Sequence, residues 1–148
     1  MPALAVTDHG NLTNDGTNTY TWDARNRLVA ISGRVSASFT YHALGRRVSK
    51  TINGVTTSYL YDGNDIVAEI GGTSAIYLRT LGIDEPLVHQ SSGNEYYHSD
   101  ALGSVLTLTN DAGAVQTSYD YEPFGKTTVT GTSTNPFQYT GRDRKSVV

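Results

Sequence analysis

The sequence contains no cysteine and a single methionine. Disulfide staples and thiolate metal centres are thereby excluded, while the compartment stays open, because many exported bacterial proteins also lack Cys. No run approaches the ~18 apolar residues of a membrane span. The opening "MPALAVTDHG" has neither the charged n-region nor the apolar h-region of a signal peptide, though the chain begins in mid-pattern, so this says little about export. Neither sign of charge dominates: 11 Lys and Arg stand against 14 Asp and Glu, for a net charge of −3. That balance excludes the basic footprint of a nucleic-acid binder and a polybasic membrane anchor. Windows rich in Ala, Leu, Glu and Lys with apolar residues at i, i+3, i+4, i+7 are also missing, so helices are not expected.

What the chain has in quantity is tyrosine and glycine: 10 Tyr against 3 Phe and 1 Trp, with 15 Gly. Tyr, Thr and Val suit a pleated, half-buried surface, and Gly and Asn suit turns. The expected class is all-β. Within 148 residues, room for one ordinary domain, aromatic-x-aromatic pairs recur. They fall at Tyr20 and Trp22, Phe39 and Tyr41, Tyr59 and Tyr61, Tyr96 and His98, Tyr119 and Tyr121, and Phe137 and Tyr139, with a degenerate copy at Tyr77 and Arg79. Successive starts lie 19, 20, 18, 19, 23 and 18 residues apart, which marks an internal repeat.

Residues i and i+2 of a strand share a face, so each pair sets two side chains next to each other. After the pair comes a polar residue, a turn with Asn26, Gly45, Gly63, Gly103 or Gly125, and then an aliphatic returning strand: Leu28-Val29, Val48, Ile66-Val67, Val105-Leu106. Those turn positions are expected to need φ > 0. Second turns at Asn53-Gly54, Gly71-Gly72, Ser92-Gly93 and Ala112-Gly113 link one hairpin to the next. Each repeat is thus one antiparallel β-hairpin, and stacked hairpins predict a curved, coiling sheet.

The stretches "DHGNLTNDG" and "YTWDARNRL" resemble the Tyr-Asp repeat of the Rhs and teneurin-type superfamily. The stretch "YYHSDALGSVLTLTNDAGAVQTSYDYEPFGK", continuing to "FQYTGR", resembles the start of the Rhs repeat-associated core domain. The resemblance covers Asp8 to Arg142. It implies a β-strip spiralling into a hollow shell that encloses a C-terminal toxin. It also implies a core domain that plugs one end and cuts the chain autoproteolytically, using acidic residues near a downstream Asp-Pro-x-Gly-type motif. That motif and the toxin do not occur in this sequence. The expected organisation is Tyr-Asp hairpin repeats over 1–90, the truncated start of the core domain over 91–142, and a non-native tail over 143–148, where "DRKSVV" fits neither period nor family.

Candidate sites are weighed against the periodicity. Asp8 with Asp15, Asp62 with Asp65, Asp84 with Glu85, and Asp120 with Glu122 could each serve as an acid–base pair. Asp23, Asp62, Asp100 and Asp120 recur with the repeat, however, and acids beside turns accept hydrogen bonds from turn N–H groups. "DHGNLTND" lacks the EF-hand order, with Thr19 where the loop needs Glu. His9, His42, His89 and His98 are not spaced as metal ligands. No Gly-x-Ser-x-Gly elbow and no phosphate loop occur. Hence no catalytic, cofactor or metal residue is assigned, and the chain is expected not to be an enzyme. The repeat residues, with the Pro123-Phe124-Gly125 turn, are read as structural. By resemblance, the partners are a missing C-terminal toxin, the remaining shell, an immunity protein and secretion machinery, in a secreted or wall-associated bacterial protein. The alternative is an extracellular module binding carbohydrate or a cell surface, which would require a solvent-exposed ladder of rings.

Overall fold

A computed structural model describes residues 5–82 and 84–142; the expected non-native tail lies outside them. The fourteen strands follow chain order. They are β1 (Ala5–Val6), β2 (Leu12–Asn14), β3 (Asn18–Trp22), β4 (Leu28–Gly33), β5 (Ala37–Tyr41), β6 (Arg47–Ile52) and β7 (Val55–Asp62). Then come β8 (Asp65–Ile70), β9 (Ala75–Arg79), β10 (Pro86–Gln90), β11 (Asn94–Ser99), β12 (Val105–Thr109), β13 (Val115–Tyr121) and β14 (Thr127–Gly131). A 3-10 turn at Tyr139–Gly141 follows. The all-β, repeated-hairpin class read from the sequence is the observed one.

The chain forms two compact units, one of Met1–Leu60 and Glu69–Ser74, the other of Tyr61–Ala68 and Ala75–Val148. In the first, strands β1 to β7 each pair antiparallel with the next. Burial alternates along β5, where Ala37 and Phe39 point into the core and Ser38 and Thr40 point out. Ile31, Ala37 and Phe39 are the buried centre, packed by Tyr20, Leu28, Val35, Tyr41 and Ile52. In the second, strands β9 to β14 pair in the same way. One cluster there joins Ala75, Tyr77 and Phe137, and another joins Val105, Leu108 and Tyr119. Each buried aliphatic or ring contributes about 1.5–3 kcal/mol, so the rings supply much of the stabilisation of both units.

One loop recurs. The Asp23 N–H donates to the Arg27 carbonyl at 2.9 Å, and the Asn26 N–H donates to the Asp23 carbonyl at 3.0 Å. The same pair of bonds closes the loops that start at Thr7, His42, Asp100, Asn110 and Glu122. The fourth loop residue is Gly or Asn with positive φ in every copy: Gly10, Asn26, Gly45, Gly103, Gly113 and Gly125. A register shift follows at the strand end, between Thr21 and Trp22, Thr40 and Tyr41, or His98 and Ser99. This is a type I turn with an αL residue and a bulge, a common three-residue hairpin connection.

Two readings are corrected. In β11 the ring that points inward is Tyr97, not Tyr96: Tyr97 packs in both clusters of its unit, while Tyr96 and His98 are exposed. Aromatic spacing sets the β11 mark one residue early, and a one-residue slip exchanges the two faces of a strand. The last mark is not a strand pair either. Phe137 makes an isolated bridge and Tyr139 opens the 3-10 turn, so residues after β14 leave the hairpin pattern.

The two classes of glycine should separate in a urea titration. Gly45, at φ 90° with open space where an added methyl group would stand, should lose about 1–2 kcal/mol on Gly45→Ala from the left-handed backbone alone. Gly33, at φ 135°, would drive a Cβ into the Thr17 carbonyl oxygen. Gly33→Ala should therefore cost more than Gly45→Ala.

Candidate functional site

The recurrent side chains divide into inner rings and reaching donors. Phe39, Tyr59, Tyr77 and Tyr119 are the inner rings, 4%, 9%, 4% and 3% exposed. In four pairs the second member, Trp22, Tyr41, Arg79 or Tyr121, reaches sideways. Trp22 Nε1 donates to the Leu12 carbonyl at 2.7 Å, and the Tyr41 hydroxyl donates to the Leu28 carbonyl at 2.7 Å. In the other unit, the Tyr121 hydroxyl donates to the Val105 carbonyl at 2.6 Å. Arg79, in the degenerate copy, donates from Nε to the Ile66 carbonyl at 2.9 Å. Indole, phenol and guanidinium thus do one job.

The ladder between strands explains why that job exists. Within the hairpin of β5 and β6, five residue pairs are in register, from Ala37↔Ile52 to Tyr41↔Arg47. Between β4 and β5 only Ala30↔Ser38 and Ile31↔Ala37 are paired. Leu28 and Tyr41 lie beyond that short ladder, at the loop end of their strands. A buried carbonyl without a partner is costly, and the Tyr41 hydroxyl reaches it where the backbone does not. Between β2 and β3 only Asn14↔Thr19 is paired, and there Trp22 bridges to Leu12.

Cations lie over the rings. Arg27 stands 4.8 Å from the Tyr41 centroid, Arg47 4.6 Å from Phe39, Lys50 5.5 Å from Tyr59 and Arg79 4.3 Å from Phe137. Each such contact is worth ~0.5–2 kcal/mol depending on desolvation.

The recurrent acids hold loops. Asp23 Oδ1 accepts the N–H groups of Arg25 and Arg27, at 2.9 and 3.0 Å, and Oδ2 pairs with the Arg27 guanidinium at 2.6 Å. Asp100 Oδ1 accepts the N–H groups of Leu102 and Ser104. Asn110 caps its own loop in the same way, and His42 Nδ1 accepts the Leu44 N–H. Asp120 departs from the expectation. It lies one residue before the end of β13 opposite Thr128, on the exposed face, and the loop-starting residue is Glu122, whose carboxylate meets Lys126 Nζ at 2.8 Å. Asp62 is exposed at the end of β7. On the outer face of β11, the Tyr96 hydroxyl donates to Asp111 Oδ1 at 2.8 Å, and His98 Nε2 meets Thr109 Oγ1. Phe124 is wholly exposed at its loop tip.

Hydrogen bonds set the charge states. The Arg27 side chain, then the backbone N–H groups, hold the Asp23 carboxyl below its ordinary value. For Asp15 the main cause is the Asn18 N–H, followed by the Tyr20 hydroxyl. Asp111 is lowered by the side chains of Asn94 and Tyr96. Burial pushes the Tyr119 hydroxyl up.

The second unit also holds a buried polar network that the repeat pattern does not announce. After β14 the chain lays Ser133, Asn135, Pro136 and Phe137 onto the ring face. Ser133 Oγ donates to Glu95 Oε2 at 2.6 Å, and the same oxygen lies 2.7 Å from His89 Nδ1. His89, 1% exposed, stacks on Tyr77 at 5.3 Å between ring centroids, and Phe137 meets Tyr77 edge-on at 4.9 Å. Asn135 Oδ1 accepts the Tyr97 hydroxyl at 2.6 Å and the Phe137 N–H at 3.0 Å, while Nδ2 donates to the Tyr119 hydroxyl and the Phe137 carbonyl. Arg142 pairs with Asp84 at 3.1 Å. The serine bonds the glutamate and not the histidine, so this is no Ser–His–acid relay. Aligning the repeats on the loops would have found Tyr97. The residue three before Asp23, His42, Asp100 or Glu122 is Tyr20, Phe39, Tyr97 or Tyr119. Nothing local marks Glu95, Ser133 or Asn135, because their contacts are long-range.

Tandem antiparallel hairpins with recurrent inner rings, several of them fastened by a side-chain donor, define the class. The resemblance to the Rhs/YD-repeat superfamily is borne out in sequence and in fold. The chain is 31% identical over 152 residues to the tRNA3(Ser)-specific nuclease WapA of Bacillus spizizenii and 30% identical over 159 residues to the tRNA nuclease WapA of Bacillus subtilis strain 168. Each match takes in 94% of this chain but only 6% of the relative's length. No family model matches. Among solved structures, TcdB2-TccC3-TEV superposes with a TM-score of 0.72 at 14% identity, over 95% of this chain and 8% of that one. TcdB2-TccC3-Cdc42 gives 0.69 at 16% identity, over 94% and 8%. The Photorhabdus luminescens Tc holotoxin pore gives 0.68 at 14%, over 95% and 8%. These likenesses establish the shared fold.

Removing the reaching hydroxyl should be measurable by urea denaturation. Tyr41→Phe and Tyr121→Phe should each lose about 0.5–1.5 kcal/mol or more, since an acceptor is left unmet. Asp120→Ala should stay within about 0.5 kcal/mol of the parent. Asp15, Asp23 and Asp111 have lowered folded-state values, so their stabilisation is complete above the unfolded value near ~3.9. It should be lost as pH falls through the folded values. Denaturation midpoints measured from about pH 5 down to about pH 2 should fall more gently for Asp23→Asn than for the parent.

Proposed function

We propose that the chain is a scaffold segment of a bacterial Rhs-type toxin protein, part of a shell that encloses and delivers a C-terminal toxin. The observation that carries this reading is the use of the rings. Phe39, Tyr59, Tyr77 and Tyr119 are buried and Trp22, Tyr41 and Tyr121 are spent on neighbouring carbonyls, so the recurrent aromatics build sheet. A glycan-binding ladder would keep its rings open to solvent, which speaks against the carbohydrate alternative. The similarity to WapA nucleases and to toxin-complex structures supports a toxin setting.

The chain itself is not an enzyme in this reading. Its acids cap loops or pair with cations, and the nuclease chemistry named for the relatives belongs to other parts of proteins of which it spans about 6%. Secretion or surface display, an immunity protein and secretion machinery belong to the whole protein. Residues 1–90 would be shell repeats and 91–142 the start of the core domain.

The test is to follow the source DNA past residue 142 and express the segment with its flanking repeats and whatever follows. A downstream domain should resist protease while the β-strip is folded and become sensitive when the strip is denatured. A domain digested as fast with the strip as without it would refute encapsulation. Binding of the 148-residue chain to polysaccharide, lost on removing a single exposed ring, would favour the carbohydrate module.

A further inference from the structure

We propose that the ring face of the second unit is a peptide-binding site for an extended Ser-x-Asn-Pro-aromatic segment, filled in this chain by its own residues 133–137. The segment is held as a ligand is held and not as a strand. The sheet meets one of its backbone N–H groups, Ser133 N–H by Thr117 Oγ1, and the segment's own side chains meet two more, Asn135 N–H by Ser133 Oγ and Phe137 N–H by Asn135 Oδ1. Just beyond it, a backbone bond from the Val105 N–H to the Gln138 carbonyl joins the chain to the sheet.

The receiving side chains are positioned without it. Tyr97 lies opposite Leu108, and Leu108 opposite Thr117, in ladders that belong to β11, β12 and β13. Tyr119 is two residues from Tyr121, which is fastened to Val105. The sheet therefore presents two phenol hydroxyls, one carboxylate and one threonine hydroxyl at fixed spacing. Asn135 spends one donor and one acceptor site of its amide on the two phenol hydroxyls, and the other donor and acceptor on the Phe137 backbone, which fixes the shape of the segment. Ser133 hydroxyl donates to Glu95 while accepting from Asn135 N–H. Pro136 is fully buried, and Phe137 lies between the edge contact of Tyr77 and the guanidinium of Arg79. Such a set selects for chemistry: a leucine at 135 would forfeit the bonds to both phenol hydroxyls, and a glycine at 137 would leave the Tyr77–Arg79 slot empty. The ligand class is an extended peptide whose asparagine and aromatic residue are two apart, with proline between.

The inference can be tested on the full chain with a protease recognition sequence inserted between Gly131 and Thr132, cut after folding and freed of the cleaved C-terminal piece by extensive dialysis. The probe is a fluorescent synthetic peptide of residues 132–142. Saturable binding to the cut protein should occur, with the Asn135→Ala and Phe137→Ala peptides each bound at least about tenfold more weakly, roughly 1.4 kcal/mol. Equal binding of the altered peptides would overturn the proposal. So would the absence of binding while circular dichroism still reports the β-sheet, or loss of the β-spectrum on cutting, since the site would then not be preformed.

Discussion

Everything in this fold depends on a side chain supplying the hydrogen bond that a divergent ladder cannot. The β5–β6 hairpin is paired along its length, whereas β4 and β5 of neighbouring hairpins pair only at Ala30↔Ser38 and Ile31↔Ala37, and β2 and β3 only at Asn14↔Thr19. Carbonyls at the loop ends are met by Trp22, Tyr41, Arg79 and Tyr121. Because the reach comes from a side chain, the strands carrying Trp22, Tyr41, Arg79 and Tyr121 each fasten to the strand before by a local rule. That is the arrangement in which stability accumulates as nearest-neighbour contributions. The inner ring position accepts Phe39 as well as Tyr59, Tyr77 and Tyr119, but the reaching position needs a donor.

The same rule accounts for the degenerate repeat. Arg79 looks like a lost aromatic, yet its Nε–H takes the carbonyl of Ile66, and its guanidinium plane covers Phe137. What Trp22, Tyr41, Arg79 and Tyr121 share is a donor that reaches a carbonyl of the preceding strand, with the aromatic plane secondary. Acidic residues serve the loops instead. A carboxylate at the first loop position accepts two N–H groups, as at Asp23 and Asp100, which is why Asx chemistry recurs at a fixed distance beyond the ring pair.

Much of this is legible in the residues, and what is not has a physical reason. Class, hairpin period and the turn residues follow from spacing, since positive φ at Asn26, Gly45, Gly63, Gly103 and Gly125 has few side chains that tolerate it. Tyr96 passes for the inner ring because two tyrosines are adjacent there and ring spacing alone fixes no face. The loop frame, anchored on Asp100, does. Asp120 groups with the loop acids for the same reason, one ring-centred register being out of step with the loop. The final segment is illegible in principle. Phe137 keeps the repeat's spacing, but it packs on Tyr77 and Ala75, some sixty residues earlier by sequence count, and no local pattern encodes such a contact.

The donor-to-carbonyl fastening can be seen directly by hydrogen exchange at side-chain nitrogens. Trp22 is the sole tryptophan, so its indole N–H is a single resolved signal in a ¹⁵N spectrum, and the Arg79 Nε–H belongs to a side chain only 5% exposed. Both protons should exchange far more slowly than those of free tryptophan and arginine side chains, at rates comparable with the ladder amides of their own strands. Exchange at the free side-chain rate, with those ladder amides still protected, would contradict the account.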